Sequence, residues 1–285
     1  MDLEWVTPRK VILMKSPSNY WVDRVQKQTD LLFNKTAKEI DAELIKKYNQ
    51  AYKDTVAEMT ELWDKLMKDA VDGKIKPNDL YRYNRYYQIQ SNLNQRLLGL
   101  GADDNRVLSQ ALVDLYKETS NSLQTALKDI GVVSPTMTME QDSVVENVVK
   151  SIWTADGQHW SDRVWKNKAR LQERIEKGLM DCVSRGVSKE ELVKTLLRDF
   201  NIGYREADRL ARTEMTYVQN QAAKNRYEDA GITQYRFLAE IDSRTSSLCR
   251  EKNGKVYNFV DASVGVNIPP IHPSCRSTII PVINT

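Results

Sequence analysis

Residues 18–72 read SNYWVDRVQKQTDLLFNKTAKEIDAELIKKYNQAYKDTVAEMTELWDKLMKDAVD, a stretch with no Gly and no Pro. Apolar side chains recur through it at helical intervals: Trp21, Val25, Leu32, Ile40, Leu44, Tyr48, Tyr52, Val56, Met59, Trp63 and Leu66. A helix of about 50 residues runs roughly 75 Å. The stretch therefore predicts either a bent or broken helix or a long strut packed against partners. Gly73 and Pro77 end it, and the fold begins as α.

Downstream, Pro77-Asn78-Asp79 starts a second element, and residues 78–98 repeat the pattern with Tyr81, Tyr83, Tyr86, Tyr87, Leu93, Leu97 and Leu98. Tyrosines at this spacing suit packing and protein–protein surfaces. Gly99 and Gly101 are expected to break this helix. Asp103-Asp104 would then put negative charge at the start of a third, which runs to Ile130 with Gly131 as its cap. Ser134-Pro135-Thr136-Met137-Thr138 reads as a linker. Residues 1–133 are thus expected to form an elongated helical region serving assembly or interaction.

A second block, 140–285, is expected to be helical to 230 and to end in a small sheet with loops over 231–285. Val144, Val145, Val148 and Ile152 form one helical face, followed by a Trp-rich turn (Trp153, Trp160, Trp165) and a helix over Ala169–Met180. Ser188 and Glu191 make a capping box for a helix that should stop near Asn201-Ile202-Gly203. Another helix is expected over Tyr204–Ala230. After Gly231 the texture changes to strand-like runs at 234–239, 255–259 and 278–282, with Asn253-Gly254 a turn signal and Pro281 marking an edge strand. The fold class is mainly α with a small C-terminal α+β domain: long N-terminal helices, a second helical block, then a small, mostly antiparallel sheet with long loops.

The long loops carry the rarest residues. Asp242-Ser243-Arg244-Thr245-Ser246-Ser247-Leu248-Cys249 and Ile268-Pro269-Pro270-Ile271-His272-Pro273-Ser274-Cys275-Arg276 gather two of three cysteines and one of two histidines. Cys and His carry most metal and nucleophile chemistry. The prolines restrict the backbone around them. Cys182, beside Met180 and Val183, reads as a small core residue, and His159 is assigned no role.

Composition excludes several classes. With 28% charged and 41% hydrophobic residues the chain reads as soluble and globular, and no apolar run approaches the roughly 18 residues a membrane span needs. Three widely spaced cysteines argue against a disulfide framework. The opening Met1-Asp2-Leu3-Glu4-Trp5 lacks a basic segment followed by an apolar core, so a cytoplasm-like compartment is expected. The net charge of +3 gives no case for nucleic-acid binding by itself. No GxxxxGK[ST], GxGxxG or HExxH string occurs, which removes motor ATPase, dinucleotide enzyme and zincin.

Ala211-Arg212-Thr213-Glu214, Asn220, Gly231, Asp242-x-Arg244-Thr245-x-x-x-Cys249, Asn253-Gly254-Lys255 and Pro269-Pro270-x-His272-Pro273-x-Cys275-Arg276 occur in that order. In this the chain resembles the C-terminal domain of Mu F-like phage head morphogenesis proteins, minor capsid proteins of tailed bacteriophages, over about residues 140–283. The resemblance implies a helical virion protein made in the host bacterial cytoplasm and present in few copies in the procapsid and head. It would lie in the capsid interior or close to the portal and bind portal, scaffold or major capsid protein. Some relatives are thought to leave with the DNA. The family is not generally assigned an enzymatic activity, so none is expected. Many relatives carry further cysteines where this chain has Ser246 and Ser277, which makes a zinc site plausible in them. Here Cys249, His272 and Cys275 remain, with Asp242 as a fourth, oxygen ligand.

Each residue set has competing readings. Cys249, His272 and Cys275 form either a zinc knuckle or a buried cluster whose thiols pack as small hydrophobes; no other cofactor is expected. A catalytic arrangement would use Cys249 or Cys275 as nucleophile, His272 as base and Asp242 as orienter, but no oxyanion arrangement is evident and no catalytic residue is assigned. A charge of the Arg212-Thr213-Glu214 helix is expected to pair with the Asp242-x-Arg244-Thr245 loop through a bidentate Arg–carboxylate, and Arg244 or Arg276 bonding Glu214 or Asp242 would pin the domain together. Arg163, Lys166, Lys168 and Arg170, beside Trp160 and Trp165, are either DNA contacts or the solvated face of a helix. The expected function is binding in head assembly. The alternatives are a DNA-end-binding ejection protein, or a virion enzyme centred on Asp242, Cys249 and His272.

Overall fold

The structure is a computed structural model, and it describes residues 17–68, 70, 85–132 and 141–283. The fold is mainly α with a three-stranded antiparallel sheet at its C-terminal end, as the sequence predicts. The elements are α1 (Pro17–Lys68), α2 (Arg85–Asp129), α3 (Asp142–Val149), α4 (Trp160–Arg185), α5 (Lys189–Asp229), β1 (Gln234–Leu238), α6 (Ser247–Lys252), β2 (Val256–Asn258) and β3 (Thr278–Pro281). Among the described residues no helix is long and apolar enough to cross a membrane.

The first stretch is unbroken over the described residues. α1 is one helix of 52 residues. Its periodic residues Ile40, Leu44, Tyr48, Met59, Trp63 and Leu66 are all buried. A helix this long is unstable alone and takes its stability from the face it packs. Here α1 lies against both α2 and α5. The expected stops at Gly73 and Pro77, the start at Asn78 and the linker at 134–138 fall outside the described residues.

Two predicted breaks are absent. α2 passes through Gly99 and Gly101 without interruption, so Asp103 and Asp104 lie inside a helix rather than at its start. α5 likewise runs through Asn201-Ile202-Gly203 as a single 41-residue helix. Glycine inside a helix costs about 1 kcal/mol relative to alanine, and close approach explains two of these. A Cβ at Gly101 would sit 2.5 Å from Cζ3 of Trp165, and one at Gly203 would sit 2.9 Å from Leu171 Cδ2. Both glycines are where another helix comes nearest, not where a helix ends.

True ends follow the expected chemistry. Gly131 and Gly231, both with positive φ (79° and 75°), lie just past α2 and α5. Ser188 caps α5 by accepting the Glu191 N–H. The Trp-rich turn is shorter than predicted, because Trp160 and Trp165 belong to α4. Ile152 lies beyond α3 and is 58% exposed. His159 turns out to be the N-cap of α4: its Nδ1 accepts from Ser161 N, and its own N–H donates to Asp162.

β1 is the central strand, with β2 and β3 antiparallel on either side. It alternates as a half-buried strand should, with Tyr235 and Phe237 turned into the core. β3, with Pro281, is an edge strand as predicted. Asn253-Gly254 does not join β1 to β2 as a hairpin, since α6 intervenes and Gly254, at φ 81°, leads from it into β2.

Side chains from both sides of residues 133–140 enter the same core. Leu93, Leu112 and Tyr116 share one cluster with Leu171, Leu196 and Met215. Val25, Leu123 and Leu127 meet Tyr227, Tyr235, Phe259 and Ile279 in a second, directly beneath the sheet. A third, smaller cluster holds Phe237, Ala239, Cys249 and Cys275.

Candidate functional site

The loop carrying His272 and Cys275 is fastened to α5 by three side chains on one face. Thr213, Thr216 and Asn220 are spaced 3 and 4 apart, so they share that face. Thr213 Oγ1 accepts from Ser274 N at 2.9 Å, Thr216 Oγ1 donates to Cys275 O at 2.5 Å, and Asn220 Nδ2 donates to Ser277 O at 3.2 Å. Asn220 Oδ1 also accepts from Ile279 N at 2.9 Å, carrying the attachment into β3. Ser274 has a left-handed φ of 55°, a conformation that is costly for a side chain and is held here by the bond to Thr213. Ser246 caps α6 by accepting from Cys249 N at 3.2 Å, placing Cys249 in the first turn.

These supports bring the three rare residues together. Cys249 Sγ lies 3.1 Å from His272 Nε2 and 3.6 Å from Cys275 Sγ, and the ligand atoms of all three lie within 4.8 Å of one another. Tetrahedral zinc with thiolates near 2.3 Å would hold two sulfurs roughly 3.8 Å apart, so the pair already stands at ligand spacing. His272 Nδ1 lies 2.9 Å from Pro273 O. With Nδ1–H donating to that carbonyl, the Nε2 lone pair faces the sulfurs, the arrangement a ligating histidine adopts. Both thiols are buried, and the hydrogen bond from Cys275, followed by those from Ser246 and Ser277, holds the Cys249 thiol well below its usual range. Donating to Cys249, together with burial, pushes Cys275 up. The set fits a zinc ion.

Asp242 is not the fourth ligand. Its Oδ2 accepts from Arg276 Nη1 at 2.9 Å, and its Oδ1 from Arg276 Nη2 at 2.6 Å and Arg244 N at 2.8 Å. The Arg276 guanidinium beside it holds the carboxyl well below the carboxylate range. The hydroxyls of Ser246 and Ser277 are instead the groups against Cys249. The Cys-His-Asp catalytic arrangement is not assembled either. His272 Nδ1 faces a backbone carbonyl, and Asp242 is occupied by Arg276.

Of the expected charge pairs, the bidentate Arg276–Asp242 pair is present, but the pairing of Arg212 and Glu214 with the loop is not. Arg276 pairs with Asp242 and, at 2.8 Å, with Glu240, all within the C-terminal loops. Thr245 closes the Asp242 turn by donating to Glu240 O at 2.6 Å, and Arg244 stays exposed beside Asp242 at 3.6 Å. Arg212 bonds Asp208 on its own helix at 2.7 Å. Glu214 is buried and accepts from Trp153 Nε1 at 2.8 Å; burial pushes its carboxyl up to about 7. The helix is joined to the loop by hydroxyl and amide groups instead of by ions.

Of the basic residues on α4, Lys168 is unavailable to any ligand. It is buried, donates to Tyr48, and pairs with Asp104 of α2 at 2.5 Å. Its neighbours on the helix face outward, because one helical turn alternates core and solvent. Arg163 bonds Asp156 at 2.6 Å. Arg163, Lys166 and Arg170 all line an open cleft of about 760 Å³ between α4, α5, the 153–158 turn and the 264–273 loop. His272 and Glu214 line it too, so the cleft adjoins the Cys/His cluster.

A helical body bearing a small sheet, with a Cys/His knot riveted to its longest C-terminal helix, defines the class of architecture. Residues 173–280 match the family described as Phage Mu protein F like protein. The match covers all the motifs from Arg212 to Arg276 and begins within α4, later than the residue 140 expected. An uncharacterized protein of Haemophilus influenzae (strain ATCC 51907 / DSM 11121 / KW20 / Rd) is 20% identical over 117 residues, 41% of this chain and 26% of that protein. The chain therefore spans about a quarter of that relative's length. No solved structure matches.

Proposed function

We propose that this chain is a minor head protein of a tailed bacteriophage, made in the host cytoplasm. It binds portal, scaffold or coat during procapsid assembly and remains in the capsid interior near the portal. The observation that carries this reading is the Mu F-like match over 173–280, which contains the knot and its attachments to α5. The long helices α1 and α2 supply an extended surface for such contacts. The role is one of binding; Cys249, His272 and Cys275 hold a structural zinc ion that fixes the C-terminal loops to one another. Purified procapsids and heads should contain the protein at low copy number, and particles that assemble entirely without it would end this reading.

A further inference from the structure

The cleft beside the knot has two chemically different walls. On the helical side, Lys166 and Arg170 of α4 and Arg209 of α5 are exposed, and among the described residues these three side chains make no hydrogen bond or ion pair. The other charges lining it are largely answered: Arg163 by Asp156 at 2.6 Å and Glu206 by Arg174 at 2.9 Å. The remaining acid, Glu214, is buried beneath with one oxygen on Trp153. The opposite wall is aliphatic: Val264, Val266, Pro270, Ile271 and Pro273. Val266 is 58% exposed there.

We propose that this cleft is a docking groove for an extended peptide segment in which acidic and aliphatic residues alternate, supplied by a partner protein. In an extended chain successive side chains point to opposite sides. One set of such a segment reaches the cations while the other lies on the aliphatic loop. Side-chain amides of Gln158 and Asn167 also line the groove and can meet the peptide backbone. A nucleic-acid strand suits it less well. Single strands are held by aromatic platforms as well as cations. The aromatic ring of the cleft, Trp153, is stacked on Tyr217 with centroids 5.1 Å apart, and its N–H is committed to Glu214. That the partner is a head protein rests on the reading above; the chemistry of the groove does not.

The test is an array of octapeptides alternating Asp or Glu with Val, Leu or Ile, probed with the full chain at about 50 mM salt. Hits are then titrated by fluorescence polarisation against two surface variants, Lys166→Ala/Arg170→Ala/Arg209→Ala and Val266→Asp. Binding should weaken at least tenfold in each (about 1.4 kcal/mol), with unchanged melting temperatures. An array with no bound peptide overturns the groove, as does binding indifferent to either variant. An eight-residue oligodeoxythymidylate that binds more tightly than every peptide, and is lost in the triple variant but kept in Val266→Asp, overturns it in favour of nucleic acid. Particle incorporation is read alongside: protein present in heads with a blank array removes the groove alone, whereas protein absent from heads removes the assembly reading.

Discussion

The indole of Trp165 on α4 covers Gly101 of α2 so closely that an added Cβ would stand 2.5 Å from Cζ3 and 2.9 Å from Cε3. Two positions earlier in the same helix, Gly99 has nothing within 4 Å of the corresponding point. The two glycines should respond oppositely to alanine. Gly101→Ala forces the ring or the helix to shift, at a cost of about 1–3 kcal/mol. Gly99→Ala gains up to about 1 kcal/mol from helix propensity. Urea titration of both variants checks this; equal effects would contradict the packing described.

Lys168 and Asp104 are 5–6% exposed, joined at 2.5 Å, and share Tyr48. Burial raises the Asp104 carboxyl and lowers the Lys168 amine, so each depends on the other to stay charged. Asp104→Ala alone should cost about 3–5 kcal/mol by leaving a buried charge unmatched. The double change Asp104→Leu/Lys168→Met should recover most of that. Denaturant midpoints of the three proteins form the check, and a double variant no more stable than Asp104→Ala would refute the coupling.

Glu214 gives the fold a pH dependence of defined sign. Its folded pKa of about 7 lies above the ordinary glutamate value of 4.5, so the folded state holds the proton more tightly. Its contribution is fully present below pH 4.5 and declines as pH rises through 7. Glu214→Gln keeps an acceptor for Trp153 and removes the ionisation. The variant should match the original near pH 4.5 and exceed it at pH 8 by up to about 3 kcal/mol. Parallel pH–stability curves would show that the carboxyl is not held as described.

With zinc bound at Cys249, His272 and Cys275, the purified chain should carry close to one metal ion. Chelation should lower its melting temperature by roughly 5 °C, the shift expected when a saturating ligand is removed from a chain of this size. Cys249→Ser and His272→Ala should each be isolated largely metal-free and be insensitive to chelator. Clearly substoichiometric zinc in the unaltered protein would end the metal assignment.

Legibility in the sequence followed how local each cause is. The 3.6-residue recurrence from Ile40 to Leu66 declared α1, and Ser188 marked the start of α5, because both signals lie within one or two turns. Gly101 and Gly203 misled for the same reason. A glycine that admits Trp165 or Leu171 looks, along the chain, identical to one that ends a helix, and the side chains that explain it lie 64 and 32 positions away. Rarity alone pointed to Cys249, His272 and Cys275. Their attachment to Thr213, Thr216 and Asn220, the Trp153–Glu214 bond and the burial of Lys168 appear only once α4, α5 and the loops are placed together.

Val25 and Leu127, from one side of residues 133–140, pack against Tyr235 and Ile279 from the other. Covalent continuity through that segment is therefore not what keeps the two parts associated. A polypeptide severed there would persist as a two-piece complex with its interior intact. The Mu F-like stretch produced by itself would instead present to water the surface that α1 and α2 cover, and would self-associate.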